Sequence, residues 1–164
     1  MTLHRVILTD DHQLVRAGLR SLLAELTNVE VVAEASDGPE TLRLAEAHSP
    51  DVILLDIAMP GMTGLEVLAT LRRKLPQIKI IMLTMHANQE HVLRALELGA
   101  SGYVLKHCAP EELDQAIQAV LRGETWYSSE VPKQAIDTYR TRTRTTPAPR
   151  SFSVSVKVTP PPSV

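Results

Sequence analysis

The sequence predicts an α/β fold in which one parallel sheet is covered by helices on both of its faces. Three observations support this prediction. Short runs rich in valine and isoleucine recur along the first 122 residues, stretches with helical spacing separate them, and glycine or proline marks several of the junctions. Short, almost continuous apolar runs are typical of strands buried on both faces, and their regular alternation with helices favours a parallel sheet.

Five strands and five helices account for this region. The strands are predicted over residues 6–8, 29–33, 52–55, 78–83 and 103–105. The helices are predicted from apolar positions three or four residues apart, within residues 14–26, 42–45, 65–75, 92–98 and 113–121. Pro110 followed by two glutamates suits the beginning of a helix, and Gly123 suits the end of one.

The composition excludes several classes of protein. The chain has 164 residues and a net charge of −2, which gives no general reason to expect nucleic-acid or membrane binding. Its single cysteine, Cys108, excludes an internal disulfide framework and a cysteine metal cage. No apolar run is long enough to cross a membrane and the N-terminus lacks the order of a secretory signal, so we expect a cytoplasmic protein.

The C-terminal part of the chain differs sharply from the rest. Residues 1–132 contain 11 basic and 18 acidic residues, whereas residues 133–164 contain six basic residues and only Asp137. The later segment is rich in threonine, arginine and proline and has no leucine, so it buries too little apolar surface to offset the entropy lost on ordering. We therefore predict a domain over residues 1–125 and a disordered or extended linker or tail over residues 126–164.

Chemically active side chains stand where the predicted strands end. Asp10 and Asp11 follow the first strand, Asp56 the third, Thr84 the fourth and Lys106 the fifth. In a doubly wound sheet, ligands bind at the carboxyl ends of the strands. Each residue alone has an ordinary explanation, such as helix capping by Asp11 or a turn at Asp56. Their joint placement at one edge favours a site.

This set of residues favours phosphoryl transfer to a carboxylate. Clustered carboxylates need a cation, and oxygen ligands suit Mg²⁺ (or Mn²⁺). Asp56 would be the nucleophile, while Asp10 and Asp11 would hold the metal ion that offsets charge repulsion. Lys106 and Thr84 would contact the phosphoryl oxygens.

These motifs resemble the receiver domain of bacterial two-component response regulators, over residues 3 to about 122. The shared motifs are the acidic pair, the block 56–64 (DIAMPGMTG), Thr84 and the block 99–106 (GASGYVLK). Residues 10–12 (DDH) and 15–19 (VRAGL) resemble the NarL/FixJ subfamily, whose members usually carry a C-terminal LuxR-type helix-turn-helix that binds DNA. The resemblance implies a flavodoxin-like, doubly wound five-stranded (βα)5 sheet.

The resemblance also implies a set of ligands and a donor. A sensor histidine kinase would pass its phosphoryl group to Asp56. Asp10, Asp11, Asp56 and the backbone carbonyl of Ala58 would hold the metal ion.

A conformational switch is implied as well. Thr84 would move towards the phosphoryl group, and Tyr103 would turn inward into the space that Thr84 leaves. Lys106 would pair with a phosphoryl oxygen. The face built from helix 4, strand 5 and helix 5 would then change its affinity for a partner, such as a second copy of the chain.

Two further positions are expected to tune the lifetime of the phosphorylated form. Ala58 and His86 stand where residues of this family tend to set the stability of the acyl phosphate. Ala58 has no side chain that orients an attacking water, whereas His86 has one. We expect slow self-dephosphorylation. The resemblance also implies a phosphoacceptor signalling switch rather than an enzyme, and this switch would catalyse its own phosphotransfer and dephosphorylation.

The segment after residue 132 is too short and too poor in apolar residues to form the helix-turn-helix of the subfamily. DNA is therefore an expected partner only where a longer protein carries an intact C-terminal domain. One hypothesis is that residues 156–164 are an out-of-frame reading of a lost helix-turn-helix, because a shifted frame permits EGHTTAER. Truncation and a natural single-domain form are the alternatives, and the coding DNA would decide among them.

Three other functions fit part of the sequence. A stand-alone receiver would act as a phosphate sink or as an interaction module. An aspartate-nucleophile phosphatase would use similar chemistry, but it usually needs a second aspartate two residues after the nucleophile, where Ala58 stands. A flavin-binding protein of the same architecture would need a Ser/Thr/Gly-rich phosphate loop, which is the electrostatic opposite of residues 10–12.

Overall fold

Six parallel strands and a two-residue seventh form one sheet in the computed structural model, which describes residues 3–145 and 157–158. The strands are β1 (His4–Thr9), β2 (Val29–Ala35), β3 (Val52–Asp56), β4 (Lys79–Thr84), β5 (Gly102–Leu105), β6 (Glu124–Tyr127) and β7 (Lys157–Val158). Their order across the sheet is β2-β1-β3-β4-β5-β6-β7. The predicted fold class is confirmed, and the five predicted strands correspond to β1–β5.

Helices cover both faces of this sheet. They are α1 (Gln13–Ala24), α2 (Gly38–His48), α3 (Gly64–Lys74), α4 (Gln89–Glu97), α5 (Pro110–Leu121) and α6 (Lys133–Thr145). One face is covered by α1 and α5, with Leu23 and Ile117 in its apolar cluster. The other is covered by α2, α3, α4 and α6, with Leu68 and Val92 among its buried residues. Because apolar layers lie on both sides, all five residues of β3 are buried.

The order of the strands reverses at β1, which lies between β2 and β3. Thr9 of β1 is the register partner of Leu55 in β3. The next residues along the two strands, Asp10 and Asp56, therefore come side by side at the carboxyl end of the sheet. This is the switch point at which doubly wound sheets bind ligands.

The sixth strand corrects the predicted number of strands. In β6, Trp126 pairs with Gly102 of β5 and Tyr127 pairs with Tyr103. β6 has only four residues, and its burial alternates along the strand. A search for continuous apolar runs misses such a strand, because the run of buried side chains is interrupted at every second residue.

The sixth helix corrects the prediction for the tail. Residues 133–145, which were expected to be disordered or extended, form α6 and pack against α4. Ala135 and Ile136 are buried, and Tyr139 packs against the same apolar cluster. These three positions fall on one side of a helix, so a short apolar stripe stabilises a segment whose average composition is polar.

A polar contact also joins α6 to α4. Arg142 Nη1 lies 2.8 Å from Glu97 Oε2.

The hypothesis about residues 156–164 falls outside the described residues, apart from the two that form β7. Within residues 3–145, every helix falls short of the length and apolar character that a membrane crossing requires.

Candidate functional site

Three aspartates meet at the carboxyl ends of β1 and β3. Asp10 is fully buried and Asp56 is 1% exposed, while Asp11 keeps about a fifth of its side chain in contact with solvent, at 21%. Buried carboxylates are costly unless cations or hydrogen-bond donors surround them. The sequence prediction that these residues share one edge is consistent with this arrangement.

Lys106 connects the two buried aspartates. Its Nζ lies 2.8 Å from Asp10 Oδ2 and 3.0 Å from Asp56 Oδ2, and its side chain is only 4% exposed. The backbone N–H of Lys106 donates to the carbonyl of Thr84, which ties the end of β5 to the end of β4. The strand ends therefore place the ammonium group directly between the two carboxylates.

Burial and charge act in opposite directions on the pKa values of this cluster. Burial raises the pKa of Asp56 to about 6, Lys106 opposes the rise, and the neighbouring charge of Asp10 adds to it. Burial alone would lower the pKa of Lys106, but its contacts with Asp10 and Asp56 together outweigh burial and raise it. Lys106 is therefore charged at neutral pH, and its positive charge favours the ionised form of Asp56.

The loop after Asp56 is held close to that residue. The backbone N–H of Ala58 donates to Asp56 Oδ1 at 3.1 Å. The loop then enters α3, where Thr63 and Glu66 form a reciprocal capping box. Gly64 packs so closely that a Cβ at this position would lie 2.1 Å from the backbone oxygen of Asp56. The start of α3 is therefore built against the backbone of the proposed nucleophile.

Thr84 and Tyr103 lie behind the acidic cluster. The Thr84 hydroxyl donates to the carbonyl of His86 at 2.9 Å and accepts from the N–H of the same residue at 3.3 Å. Tyr103 is completely buried, and its hydroxyl makes no hydrogen bond of ordinary geometry within the described residues. Burial raises the pKa of Tyr103 to about 12, although the nearby Thr84 hydroxyl offsets part of the rise. In this structure, Tyr103 therefore already lies in an inward position.

The donor set fits a hard divalent cation. Ligand atoms from Asp10, Asp11, His12 and Asp56 all lie within 4.8 Å of one another. One oxygen of each aspartate is buried without a hydrogen bond within the described residues, although Lys106 forms ion pairs with two of the three and His12 Nδ1 lies 3.2 Å from the third. Carboxylate oxygens are ligands that suit Mg²⁺. Asp10, Asp11 and Asp56 are the residues that would hold such an ion.

Some site residues differ from the sequence prediction. His12 was not predicted to contact the cluster, yet its Nδ1 lies 3.2 Å from Asp11 Oδ1. His12 is also the N-cap residue of α1, so the capping role considered for Asp11 is not the one observed. The described contact of Ala58 is made by its N–H, and metal binding by its carbonyl stays a prediction. His86 is exposed, and its described contacts are made by backbone atoms.

The fold and the site together define a class: a doubly wound α/β protein with an acidic, lysine-bridged pocket at the switch point of its sheet. Residues 6–118 match the response regulator receiver domain family. The chain therefore belongs to the receiver domain family of two-component response regulators, as the motifs in its sequence predict.

Curated relatives support the narrower subfamily. The response regulator UvrY of Escherichia coli is 40% identical over 129 residues, which cover 79% of this chain and 59% of UvrY. The transcriptional regulatory protein LiaR of Bacillus subtilis is 42% identical over 136 residues, which cover 83% of this chain and 64% of LiaR. The chain thus spans about three fifths of the length of these relatives.

Solved structures agree with these matches. A two-component response regulator of the LuxR family from an Aurantimonas species is similar with a TM-score of 0.78 and 38% identity, over 85% of this chain and 99% of that one. The receiver domain of the putative response regulator NarL from Mycobacterium tuberculosis is similar with a TM-score of 0.72 and 37% identity, over 75% and 99%. The predicted relationship to the NarL and LuxR regulators is confirmed.

Proposed function

We propose that Asp56 accepts a phosphoryl group from a sensor histidine kinase, and that the acceptor works only with a divalent cation in the acidic pocket. The observation that carries the proposal is the placement of Lys106 Nζ, 2.8 Å from Asp10 and 3.0 Å from Asp56. This cation keeps two buried carboxylates together where a phosphoryl group with several negative oxygens has to arrive.

The transfer is a displacement at phosphorus. A carboxylate oxygen of Asp56 forms the new P–O bond, and the P–N bond to the imidazole of the donor breaks. The donor nitrogen leaves with the electron pair and is protonated. Lys106 then pairs with a phosphoryl oxygen, and the N–H of Ala58 keeps Asp56 oriented through its Oδ1.

A metal ion has a defined role in this chemistry. Mg²⁺ (or Mn²⁺), when bound, neutralises negative charge shared by the carboxylates and the phosphoryl oxygens. Asp10, Asp11 and Asp56 supply side-chain oxygens for it, and the carbonyl of Ala58 is proposed as the fourth protein ligand. Since burial raises the pKa of Asp56 to about 6, positive charge at this position also favours the ionised nucleophile.

Thr84 and Tyr103 are proposed as the switch. For Thr84 to contact a phosphoryl oxygen, its hydroxyl has to leave the carbonyl of His86. The backbone carbonyl of Tyr103 accepts from Ser128, the residue after β6, so a shift of β5 reaches the segment that leads into α6. Phosphorylation then favours one of two arrangements. An Asp56 phosphoprotein with unchanged amide chemical shifts in β5 and α6 would contradict this role.

The proposed output is a change in protein contacts, which controls transcription where the whole protein carries a DNA-binding domain. A solved relative, RcsB, is described as two dimers bound to two parallel DNAs, with a TM-score of 0.75 and 29% identity over 83% of this chain and 69% of that one. We propose a homodimer through the side of α4, β5 and α5. Because β6 pairs with the outer edge of β5 and α6 packs on α4, a second copy on this side would contact β6 and α6 rather than the edge of β5. Sedimentation that stays unchanged on phosphorylation would contradict the dimer.

Self-dephosphorylation is proposed to be slow. Ala58 has no side chain that positions water, and the His86 side chain is exposed. Loss of label from the purified phosphoprotein within seconds would argue against this proposal.

Labelling by a small phosphodonor tests the function. We expect acid-stable, base-labile labelling of the chain by acetyl phosphate, which requires Mg²⁺ and is lost in Asp56→Asn. Lys106→Met is expected to label far more slowly. Steady release of phosphate from varied monoesters, without a labelled protein, would instead indicate a phosphatase.

A further inference from the structure

An arginine of α1 contacts the acidic loop through its backbone. Arg16 belongs to the segment 15–19, and its side chain is only 18% exposed. Its Nη1 donates to the backbone carbonyl of Asp10 at 2.6 Å, and its Nε donates to Glu34 Oε1 at 3.2 Å. A guanidinium with so little exposure needs hydrogen-bond partners, and these two contacts supply them.

Glu34 anchors this arginine from the neighbouring strand. It lies on β2, where its register partner is Leu8 of β1, so it belongs to the rigid sheet. Arg20, one turn further along α1, pairs with the same carboxylate but is 61% exposed. Among the contacts of the described residues, Arg16 joins Glu34 to the loop after β1, whereas Arg20 reaches Glu34 alone.

The carbonyl that Arg16 holds belongs to the peptide plane between Asp10 and Asp11. This plane is rigid, so holding its oxygen also restrains the position of the Asp11 Cα, and rotation about the Asp11 N–Cα bond then sets the direction of the side chain. The N-cap residue of α1, His12, makes no side-chain capping hydrogen bond. The loop that leads into α1 is instead restrained by Arg16 and by the Asp10 side chain, whose Oδ1 accepts from the N–H of His12 at 2.8 Å.

We propose that Arg16, held by Glu34, is a positioning residue that fixes the Asp10–Asp11 peptide and thereby raises the affinity of the acidic pocket for a divalent cation. Its guanidinium contacts a carbonyl and the carboxylate of Glu34, so it does not compete with the metal ion for the pocket carboxylates. The inference rests on the metal-dependent function proposed above. It adds that the pocket is prepared by a residue that touches neither metal nor phosphate.

Positioning and simple electrostatics predict opposite effects for the loss of this arginine. Removing a positive charge beside an acidic pocket strengthens cation binding if charge alone matters. Removing a restraint on the ligands weakens cation binding, because ordering the ligand side chains then costs part of the binding free energy. The direction of the change therefore separates the two explanations.

Calorimetric titration of the full chain with MgCl₂ tests the proposal without any phosphorylation. We expect Arg16→Met to raise the dissociation constant for Mg²⁺ by about tenfold or more, as is typical for residues that orient metal ligands. Arg20→Met is the matched control, because it removes the same charge and the other partner of Glu34. We expect its dissociation constant to stay within about twofold of the wild type, since it does not touch the loop.

A dissociation constant for Arg16→Met that is less than about tenfold above that of the wild type would overturn the positioning role and leave the proposed function intact. No binding of Mg²⁺ by the wild-type chain would overturn the proposed function and the positioning role together. Where circular dichroism shows that Arg16→Met is unfolded, Arg16→Lys takes its place under the same limits. A lysine ammonium cannot hold the carbonyl and Glu34 in one planar fork.

Discussion

At the scale of single residues, the absence of one side chain shapes the site as much as the charged groups do. A Cβ at Gly64 would lie 2.1 Å from the backbone oxygen of Asp56 and 2.8 Å from Cα of Ile57. Both neighbours are backbone atoms, so they cannot move aside as a flexible side chain would. Gly64 thus allows α3 to begin directly beside the proposed phosphoacceptor.

Replacement of Gly64 is therefore expected to disturb Asp56. We predict that Gly64→Ala lowers the free energy of unfolding by about 1–3 kcal/mol, the usual cost of overpacking, and slows labelling by acetyl phosphate. Gly18→Ala is the matched control, because a Cβ at Gly18 meets nothing within 4 Å. Because Gly18 lies in the middle of α1, Gly18→Ala should raise the free energy of unfolding by about 0.4–1 kcal/mol.

Urea unfolding of both variants measures these changes. Equal stability of the two alanine variants would contradict the close contact between α3 and the backbone of Asp56.

The single cysteine should react slowly in the folded chain. Cys108 is partly buried, and burial, together with the charge of Glu112, raises the pKa of its thiol to about 11. Since the thiolate is the reactive form, a raised pKa leaves little of it at pH 8. We predict that iodoacetamide modifies the native chain at least about tenfold more slowly at pH 8 than the urea-unfolded chain. Similar rates in the two states would show that the thiol is accessible and unperturbed.

At the scale of helices and strands, the sequence was sufficient where the apolar pattern is strong. The valine and isoleucine runs predict β1–β5. Ligands bind at the carboxyl ends of the strands in such sheets, so the sequence alone also predicts that Asp10, Asp56 and Lys106 lie together. The same reasoning missed β6 and α6. Their buried residues are few and spaced, and their stability comes from docking on β5 and α4, which no local pattern reveals.

The side-chain geometry of the site also cannot be predicted from the sequence. Strand ends predict which residues meet, but they do not predict that Lys106 bridges Asp10 and Asp56 or that His12 lies beside Asp11. The role of Arg16 depends on a contact with a backbone carbonyl. Such a contact leaves no signature in residue types, because every residue has a carbonyl.

The packing of α6 can be tested by truncating one buried side chain. Ile136 is 3% exposed in the apolar cluster beneath α4. We predict that Ile136→Ala lowers the free energy of unfolding by about 2–5 kcal/mol, as is usual for a buried isoleucine. Gln134→Ala, at an exposed position of the same helix, should change it by less than about 0.5 kcal/mol.

Chemical denaturation of the full chain gives both values. If Ile136→Ala proved as stable as Gln134→Ala, α6 would be a loosely attached segment and the sequence-based prediction of a tail would be restored.

At the scale of the whole molecule, the site and the stability of the fold are linked. The three aspartates meet where β1 and β3 end, and two of them are nearly or fully buried. A cation that binds this pocket in the folded chain but not in the unfolded chain stabilises the whole fold by mass action. The acidic pocket is therefore expected to report on global unfolding.

Thermal unfolding in the presence of magnesium measures this linkage. We predict that Mg²⁺ at a hundredfold excess over its dissociation constant stabilises the wild-type chain by about 2.7 kcal/mol and raises its Tm. Asp11→Asn should lose most of this increase, because it removes one of the three carboxylates of the pocket. An equal increase in Tm for both chains would mean that the ion binds elsewhere.

The proposed function depends on one covalent bond, between a phosphoryl group and Asp56. Borohydride reduces an acyl phosphate to an alcohol, so a phosphorylated aspartate becomes homoserine, which peptide mass spectrometry can locate. After reaction with acetyl phosphate and Mg²⁺, we predict homoserine at position 56, and none when Mg²⁺ is withheld. Homoserine at position 10 or 11, or at no position, would contradict the assignment of Asp56 as the phosphoacceptor.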